Sequence, residues 1–318
     1  MKVGVVGSGF VGATAAYAIL LMGTASEIVM VDLNRKRAEA EAADIRHAVP
    51  YVHPMAVNAG DYSDLEGAHV VIITAGANQK PGESRLELLG RNAKIMSSVV
   101  HQVLEYAKDP ILVIATNPVD VMTHIAAKAA VLKGLAPGRV IGSGTTLDTA
   151  RFRSLLGDFL GVDPQHVHGY VVGEHGDSEV LAWSSVDIGG ISLDDFAKMR
   201  GLTLYPDTRY TIDQDVRRAA YQIIEGKGAT YYGVGAALSR IMDVIAHDHH
   251  AILTICSPME DVYGIKDVTV SLPHLLRAEG VMGTLPLNLN EEETQALQRS
   301  AKIIRDRIDE YEVSIKGE

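Results

Sequence analysis

Short unbroken runs of Val and Ile alternate with longer stretches of helical period through the first half of the chain. Residues 3–6, 28–31, 70–74, 111–115 and 140–141 are almost wholly apolar and bounded by Gly, Asp or Asn, as strands buried on both faces are. Between them, residues 10–22, 35–48 and 86–106 carry the helical period. This strand–helix–strand rhythm predicts a doubly wound parallel sheet with helices on its faces.

The second half is more mixed. Residues 149–160 and 213–225 suit helices, and 168–172 a strand. In 268–272, Val268, Val270 and Leu272 alternate with Thr269 and Ser271, which predicts a half-buried strand. A closing helix is expected over 290–308, N-capped by Asn290 with Glu293 at the capping-box position. Its inner face would carry Leu297, Ala301, Ile304 and Ile308. The expected class is α/β, with a doubly wound domain over 1–142 and a mixed α+β catalytic domain over 143–318. With no linker or repeat, the two lobes should pack as one unit.

Composition narrows the function classes. The 318 residues are 47% hydrophobic and 22% charged, ordinary for a globular protein. A formal charge of −11 argues against nucleic acid or an anionic membrane surface as partner. Cys256 stands alone, which fits a reducing compartment. Residues 1–7 read as a strand and no apolar run reaches spanning length, so a soluble cytoplasmic protein is expected.

The first strand runs into Gly7-Ser8-Gly9-Phe10-Val11-Gly12, a G-x-G-x-x-G that opens a helix. Gly7 permits the tight turn, Gly9 lets backbone N–H groups reach a pyrophosphate, and Gly12 lets helix and strand close up. The second strand ends at Asp32, where a carboxylate meets the adenine ribose hydroxyls and repels a 2′-phosphate. The sheet is therefore expected to be of Rossmann type and the cofactor NAD. Arg35, Lys36 and Arg37 follow Asp32 closely and would blunt that repulsion.

Three segments carry candidate chemistry. Gly173-Glu174-His175-Gly176-Asp177-Ser178 places a histidine in a polar turn at a strand end. In Leu147-Asp148-Thr149-Ala150-Arg151-Phe152-Arg153, Asp148 and Arg151 share one helical face while Arg153 points elsewhere. The polar run 76–85 lies at the carboxyl end of the sheet, where such folds bind ligands, and Asn117-Pro118, with Asp120 just after, ends another strand on that edge. Either Asp148 or Asp177 would serve as partner to His175 on these grounds.

Taken together, these motifs resemble the L-lactate branch of the lactate/malate dehydrogenase family, in order and spacing, from Lys2 to the last helix. The resemblance implies hydride transfer between nicotinamide and a 2-hydroxy acid. It makes His175 the acid/base, selects Asp148 as its partner, gives the substrate carboxylate to Arg151 and has Arg85 polarise the carbonyl. Asn117 would hydrogen-bond the substrate oxygen, and Thr230 would line its methyl end. Malate dehydrogenases carry an arginine six residues before Arg85; here that place is Gln79, which favours pyruvate and L-lactate. By the same resemblance Val11, Arg37, Tyr62, Gly76, Ala77, Ser98, Ala115, Thr116, Asn117 and Ser143 join Gly7, Gly9, Gly12 and Asp32 in contacting NAD.

The resemblance is to the family's bacterial members, which lack an N-terminal arm; with the first strand starting at Lys2 none is expected here, and Arg153 and His168 match their fructose 1,6-bisphosphate site. A homotetramer and that effector are implied. A malate dehydrogenase and a catalytically silent NAD-binding sensor are the alternatives. No metal site is expected: His247-Asp248-His249-His250 reads as a solvated turn, and Cys256 as a small buried hydrophobe.

Overall fold

A computed structural model of the chain describes residues 1–77 and 82–316. Its centre is an eight-stranded sheet. The first half supplies β1 (Lys2–Val6), α1 (Phe10–Met22), β2 (Glu27–Val31), α2 (Arg35–Ala48), β3 (Ala56–Ala59), β4 (Val70–Ile73), α3 (Arg85–Tyr106), β5 (Ile111–Ile114), α4 (Val119–Val131) and β6 (Val140–Gly142). These six strands are parallel, in the spatial order β3-β2-β1-β4-β5-β6. Order reverses between β1 and β4, which opens a crevice at their carboxyl ends. The predicted apolar runs thus coincide with the central strands, all buried on both faces because helices cover the sheet above and below.

The second half begins with α5 (Thr146–Leu160), β7 (Val167–His168), β8 (Val171–Val172), β9 (Val180–Leu181), β10 (Asp187–Ile188), β11 (Ile191–Ser192), α6 (Leu193–Met199) and α7 (Pro206–Lys227). It ends with α8 (Tyr232–His247), β12 (Ala251–Leu253), β13 (Cys256–Val262), β14 (Ile265–Ser271), β15 (His274–Arg277), β16 (Gly280–Thr284) and α9 (Glu291–Lys316). The strand expected over 168–172 is two short pieces in different sheets, β7 and β8, separated by Gly169 and Tyr170.

The β13–β14 hairpin adds antiparallel to β6, with Cys256 opposite Gly142, and so extends the first half's sheet with strands from the second. For this reason β14 is not half-buried as the alternation predicted. Val268, Thr269, Val270 and Ser271 are all buried, since α4 and α9 pack against the hairpin. Thr269 is satisfied there by His124 Nδ1 at 3.0 Å. The closing helix has the expected reciprocal cap: Glu293 N donates to Asn290 Oδ1 at 2.8 Å and Asn290 N to Glu293 Oε2 at 3.1 Å. Leu297, Ala301, Ile304 and Ile308 form its buried face.

Two of the three apolar cores flank the sheet, and the third lies under α5 in the second lobe. Phe152 is the largest side chain of the third, fully buried and edge-on to Trp183 at 4.8 Å. It sits between Arg151 and Arg153, so its packing fixes the face each arginine presents. Phe152→Ala is expected to cost about 3–5 kcal/mol, because the cavity lies where the helix cannot collapse. A lowered midpoint of chemical unfolding with an unchanged denaturant slope checks this; a loss under 1 kcal/mol would show that the lobe repacks.

Candidate active site

The glycine turn follows β1 directly. Gly7 has φ +102°, and its N–H donates to Val31 O at 2.8 Å, tying the turn to the end of β2. A Cβ on Gly12 would fall 1.9 Å from Gly7 O, so only glycine lets α1 start this close to the strand. Above Gly9 a Cβ would meet nothing within 4 Å, leaving backbone exposed in a cradle open to a pyrophosphate.

Asp32 closes the turn. Its Oδ2 accepts from Ser8 N at 2.6 Å and its Oδ1 from Asn34 N at 2.8 Å. The carboxylate is thereby held beside the cradle, where ribose hydroxyls would meet it. Of the following cations, Arg35 is engaged by Glu39 at 3.0 Å and Asp61 at 3.1 Å, and Arg37 by Glu41 at 3.7 Å. Arg37 also lies 5.8 Å above the Phe10 ring, at the adenosine side of the turn. Burial and the nearby Asp32 charge push the Tyr62 phenol up, which places it in the same neighbourhood.

Gly76 and Ala77 continue from β4, Ala115, Thr116 and Asn117 from β5, and Ser143 from β6, along one edge of the sheet. Thr116 Oγ1 donates to Ala75 O at 2.8 Å, Ala77 N to Asn92 Oδ1 at 2.8 Å, and Ser143 N to Ile114 O at 2.8 Å. Val11 is half-buried at the start of α1, and Ser98 is exposed on α3, bonded to Gln102 at 3.2 Å. The open backbone at Gly9 and the anchored carboxylate fit a dinucleotide without a 2′-phosphate.

At the far end of this edge, Asp148 in the first turn of α5 binds two partners. His175 Nδ1 lies 2.6 Å from its Oδ2, and Arg151 Nη1 donates to its Oδ1 at 2.6 Å. Asp177, the other candidate partner, instead accepts from Tyr221 Oη at 3.0 Å. Burial alone would lower the His175 pKa, but the Asp148 carboxylate outweighs it and the imidazole is raised to about 9. Burial works against the Asp148 charge too, yet His175 and Arg151 hold its carboxyl below the usual carboxylate range. With Nδ1 committed, Nε2 is the nitrogen left to exchange a proton with a substrate.

The turn that carries His175 is pinned on three sides. Gly173 exchanges backbone hydrogen bonds with Ser271 at 2.9 and 3.1 Å. Glu174 N donates to Ser300 Oγ at 2.8 Å, and the Glu174 carboxylate pairs with Arg307 of α9. His175 N donates to Asp120 Oδ2 at 2.8 Å.

A cavity of about 460 Å³ adjoins the Asp148–Arg151 pair, lined by Leu147, Arg151, Ile223, Lys227, Thr230 and Tyr231 among others. Arg151 and Thr230 therefore share one space. Lys227 is a second cation there, with Nζ 3.6 Å from the Tyr231 ring and 4.1 Å from that of Tyr232. Arg85 is the exposed first residue of α3; its charge reaches Tyr221 on α7, opposing the upward push that Asp177 gives that phenol. Gln79 lies outside the described residues.

Arg153 leaves the other side of α5. Its Nε donates to Gly169 O at 2.9 Å and its guanidinium lies 5.3 Å from the Tyr170 ring, next in the chain to the exposed His168. Burial lowers its pKa.

Sequence reasoning missed two buried acids. Asp120 accepts the His175 backbone N–H, and burial raises its pKa to about 6. Glu179 is raised to about 8 by burial and by Asp148, with Arg217, His175 and Arg151 opposing. The only signal for Asp120 is its place after Asn117-Pro118; a Glu at the end of a polar turn gives none.

Comparison with known proteins agrees with this geometry. Residues 1–142 match the family model for the lactate/malate dehydrogenase NAD binding domain, and 145–314 that for the family's alpha/beta C-terminal domain. An L-lactate dehydrogenase of Geotalea daltonii is 56% identical over 313 residues, 98% of this chain and 100% of its own. That of Thermus aquaticus is 57% identical over 305 residues, covering 96% and 97% of the two chains. Among solved structures, a lactate dehydrogenase from a Medee basin deep-sea metagenome library superposes with TM-score 0.94 at 42% identity, covering 98% of each chain. The minor L-lactate dehydrogenase of Enterococcus mundtii gives 0.91 at 38%, over 97% of each. The chain belongs to the lactate/malate dehydrogenase family and is an NAD-dependent oxidoreductase.

Proposed function

We propose that the protein is an L-lactate dehydrogenase that reversibly reduces pyruvate with NADH. The observation that carries this reading is the His175–Asp148–Arg151 cluster built on a buried carboxylate, with Arg151 lining a largely apolar cavity. The relatives named L-lactate dehydrogenase over the whole chain support it. The division of labour is a cofactor domain over 1–142 and a catalytic domain over 143–318.

The nicotinamide, when bound in the crevice, supplies the hydride. The chain does the rest. Arg151 keeps Nη1 on Asp148 and offers its remaining guanidinium donors to the substrate carboxylate. Thr230 and Leu147 surround the methyl end, and Asn117 and Arg85 hold the carbonyl oxygen from the sheet edge and from α3. His175 Nε2 donates its proton to that oxygen as charge develops, and Asp148 stabilises the cation beforehand and orients the ring. In the reverse direction the neutral ring accepts the proton from the hydroxyl. A buried free thiol at Cys256 suits a reducing cytoplasm, and among the described residues no helix is long and apolar enough to cross a membrane.

Substrate choice follows from charge. Gln79 offers no cation, and the Lys227 ammonium already rests on two tyrosine rings, so a second carboxylate would be buried unpaired. Steady-state turnover should favour pyruvate over oxaloacetate, and Gln79→Arg should raise the oxaloacetate-to-pyruvate ratio of kcat/KM at least tenfold. A wild-type preference for oxaloacetate would reject the lactate reading and point to Lys227 as the pairing cation.

Reduction needs His175 protonated. In free enzyme, kcat/KM for pyruvate should be flat at neutral pH and fall as pH rises through about 9. Asp148→Asn removes the largest interaction that raises the pKa and leaves the burial that lowers it, with only the weaker fields of Asp120 and Glu179 still opposing. The fall should then move well below 9, toward the ordinary histidine value of ~6.5. A pH profile with the same alkaline limb in wild type and variant would rule out His175 as the titrating acid.

The reading extends to a homotetramer with an anionic effector. Arg153 and the neighbouring His168, repeated about a two-fold axis, would face the two phosphates of fructose 1,6-bisphosphate. The effector should lower the pyruvate KM and favour the tetramer by sedimentation, and Arg153→Ala should abolish both responses. Wild-type kinetics and mass unchanged by the bisphosphate would remove this site from the proposal.

A further inference from the structure

At the carboxyl end of α8, far in sequence from the catalytic turn, the chain folds two histidines onto one carboxylate. Asp243 and His247 are one helical turn apart, and His247 Nδ1 lies 3.0 Å from Asp243 Oδ1. Asp248 takes a left-handed conformation at φ 51°, and His249 N bonds back to Val244 O at 3.1 Å. That reversal returns His249 to the helix, so that its Nδ1 lies 3.4 Å from Asp243 Oδ2. The two imidazoles stack with centroids 5.3 Å apart at 20°. One ligand atom from each of the three residues lies within 4.8 Å of the other two.

We propose that Asp243, His247 and His249 form a binding site for a divalent ion of the zinc class. The sequence reads 247–250 as a solvated turn; the fold adds Asp243, one helical turn before His247, to two of its histidines. Zinc bonds of 2.0–2.1 Å at tetrahedral angles separate neighbouring ligand atoms by ~3.3 Å, and one ligand atom from each residue already lies within 4.8 Å of the others, a gap that small side-chain rotations close. Two imidazoles and one carboxylate are a borderline donor set that favours zinc, cobalt or nickel over calcium or magnesium. The Asp243 side chain is only 13% exposed, whereas the histidines are half open to solvent, which leaves the fourth position to water.

Arg240 completes the arrangement. Its Nη1 donates to Asp243 Oδ2 at 2.5 Å, as an outer partner that orients a ligating carboxylate does. The nearby Asp248 is bonded to both His250 and Arg277, and these three stay outside the set. An ion at this point would tie the last turn of α8 to the segment leading into β12. Since α8 packs along α1, such a tie acts on stability and not on the hydride chemistry.

The test is calorimetric titration of the full chain, stripped with chelator, with Zn²⁺, followed by the visible spectrum with Co²⁺. One ion per chain, a tetrahedral cobalt spectrum and a raised melting temperature are expected. His247→Ala with His249→Ala should weaken binding at least hundredfold, and Asp243→Asn about tenfold, while turnover of pyruvate stays unchanged. Binding equal in wild type and double variant, or no binding in wild type, would overturn the proposal and leave a carboxylate that merely accepts two imidazole hydrogen bonds. His250→Ala, which keeps the three ligands, should bind as wild type does; loss there would also reject the assignment.

Discussion

One buried carboxylate shared between two cations organises the active site. Asp148 is almost completely enclosed, and a charge so placed is stable only when its lone pairs are met. His175 meets one oxygen and Arg151 the other, each at 2.6 Å. The arrangement fixes three things at once: the tautomer and tilt of the imidazole, the face of α5 that Arg151 occupies, and the approach of the 173–178 turn to the helix. Removing either cation would leave the carboxylate half satisfied in a site that water scarcely reaches.

Two more acids are buried near the pair. Asp120 and Glu179 are both buried, and burial raises both pKa values, to about 6 and about 8. Glu179 is thereby largely neutral at pH 7, so the cluster does not accumulate three like charges around one imidazolium. Asp120 accepts the His175 backbone N–H at 2.8 Å. It lies at the start of α4, next to the buried thiol of Cys256, which the lack of water and the negative field of Asp120 push well upward. His175 is therefore held from the sheet side by Asp120 and from the α5 side by Asp148.

Much of this was legible in the sequence because the chemistry needs particular residues at fixed spacings. The glycine turn, Asp32, and the Asp148–Arg151 pair each follow from a local geometric rule that sequence displays directly. The strands read well because burial on both faces makes them continuous Val and Ile runs. What failed were the elements whose patterns depend on distant partners. α4 is buried nearly all round, so it shows no amphipathic stripe, and β3 is a four-residue edge strand, AVNA, with little apolar content. The polar positions of β14 alternate as if facing solvent, but Thr269 and Ser271 are paired inside, with His124 and with Thr145 N. Only a fold in which the second half's hairpin extends the first half's sheet makes those hydroxyls interior groups. In the same way, choosing Asp148 over Asp177 needed the return of the 173–178 turn to α5, a long-range contact that spacing cannot express.

The hairpin also ties the two halves of the chain together. β13 joins β6 through Cys256 and Gly142, and β14 holds Gly173 through Ser271, so one hairpin connects the cofactor sheet to the catalytic turn. A second connection runs along the crevice through aromatic rings. Arg37 of α2 lies over Phe10 of α1, Phe10 stacks on Tyr231 at 5.3 Å, and Tyr231 receives Lys227 from the end of α7. Each contact in this ladder is worth only about 0.5–1.5 kcal/mol, and several are exposed. Their value lies in geometry: they join the adenosine side of the crevice to the cavity that holds Arg151 and Thr230. A displacement of α1 against α7 of even an ångström or two would break the stack, whereas the tight α1–α8 approach, with Gly235 against Thr14, resists that displacement. Hydride transfer requires donor and acceptor carbons held at near contact, and the rigidity that permits it comes from the packing between lobes more than from either lobe alone.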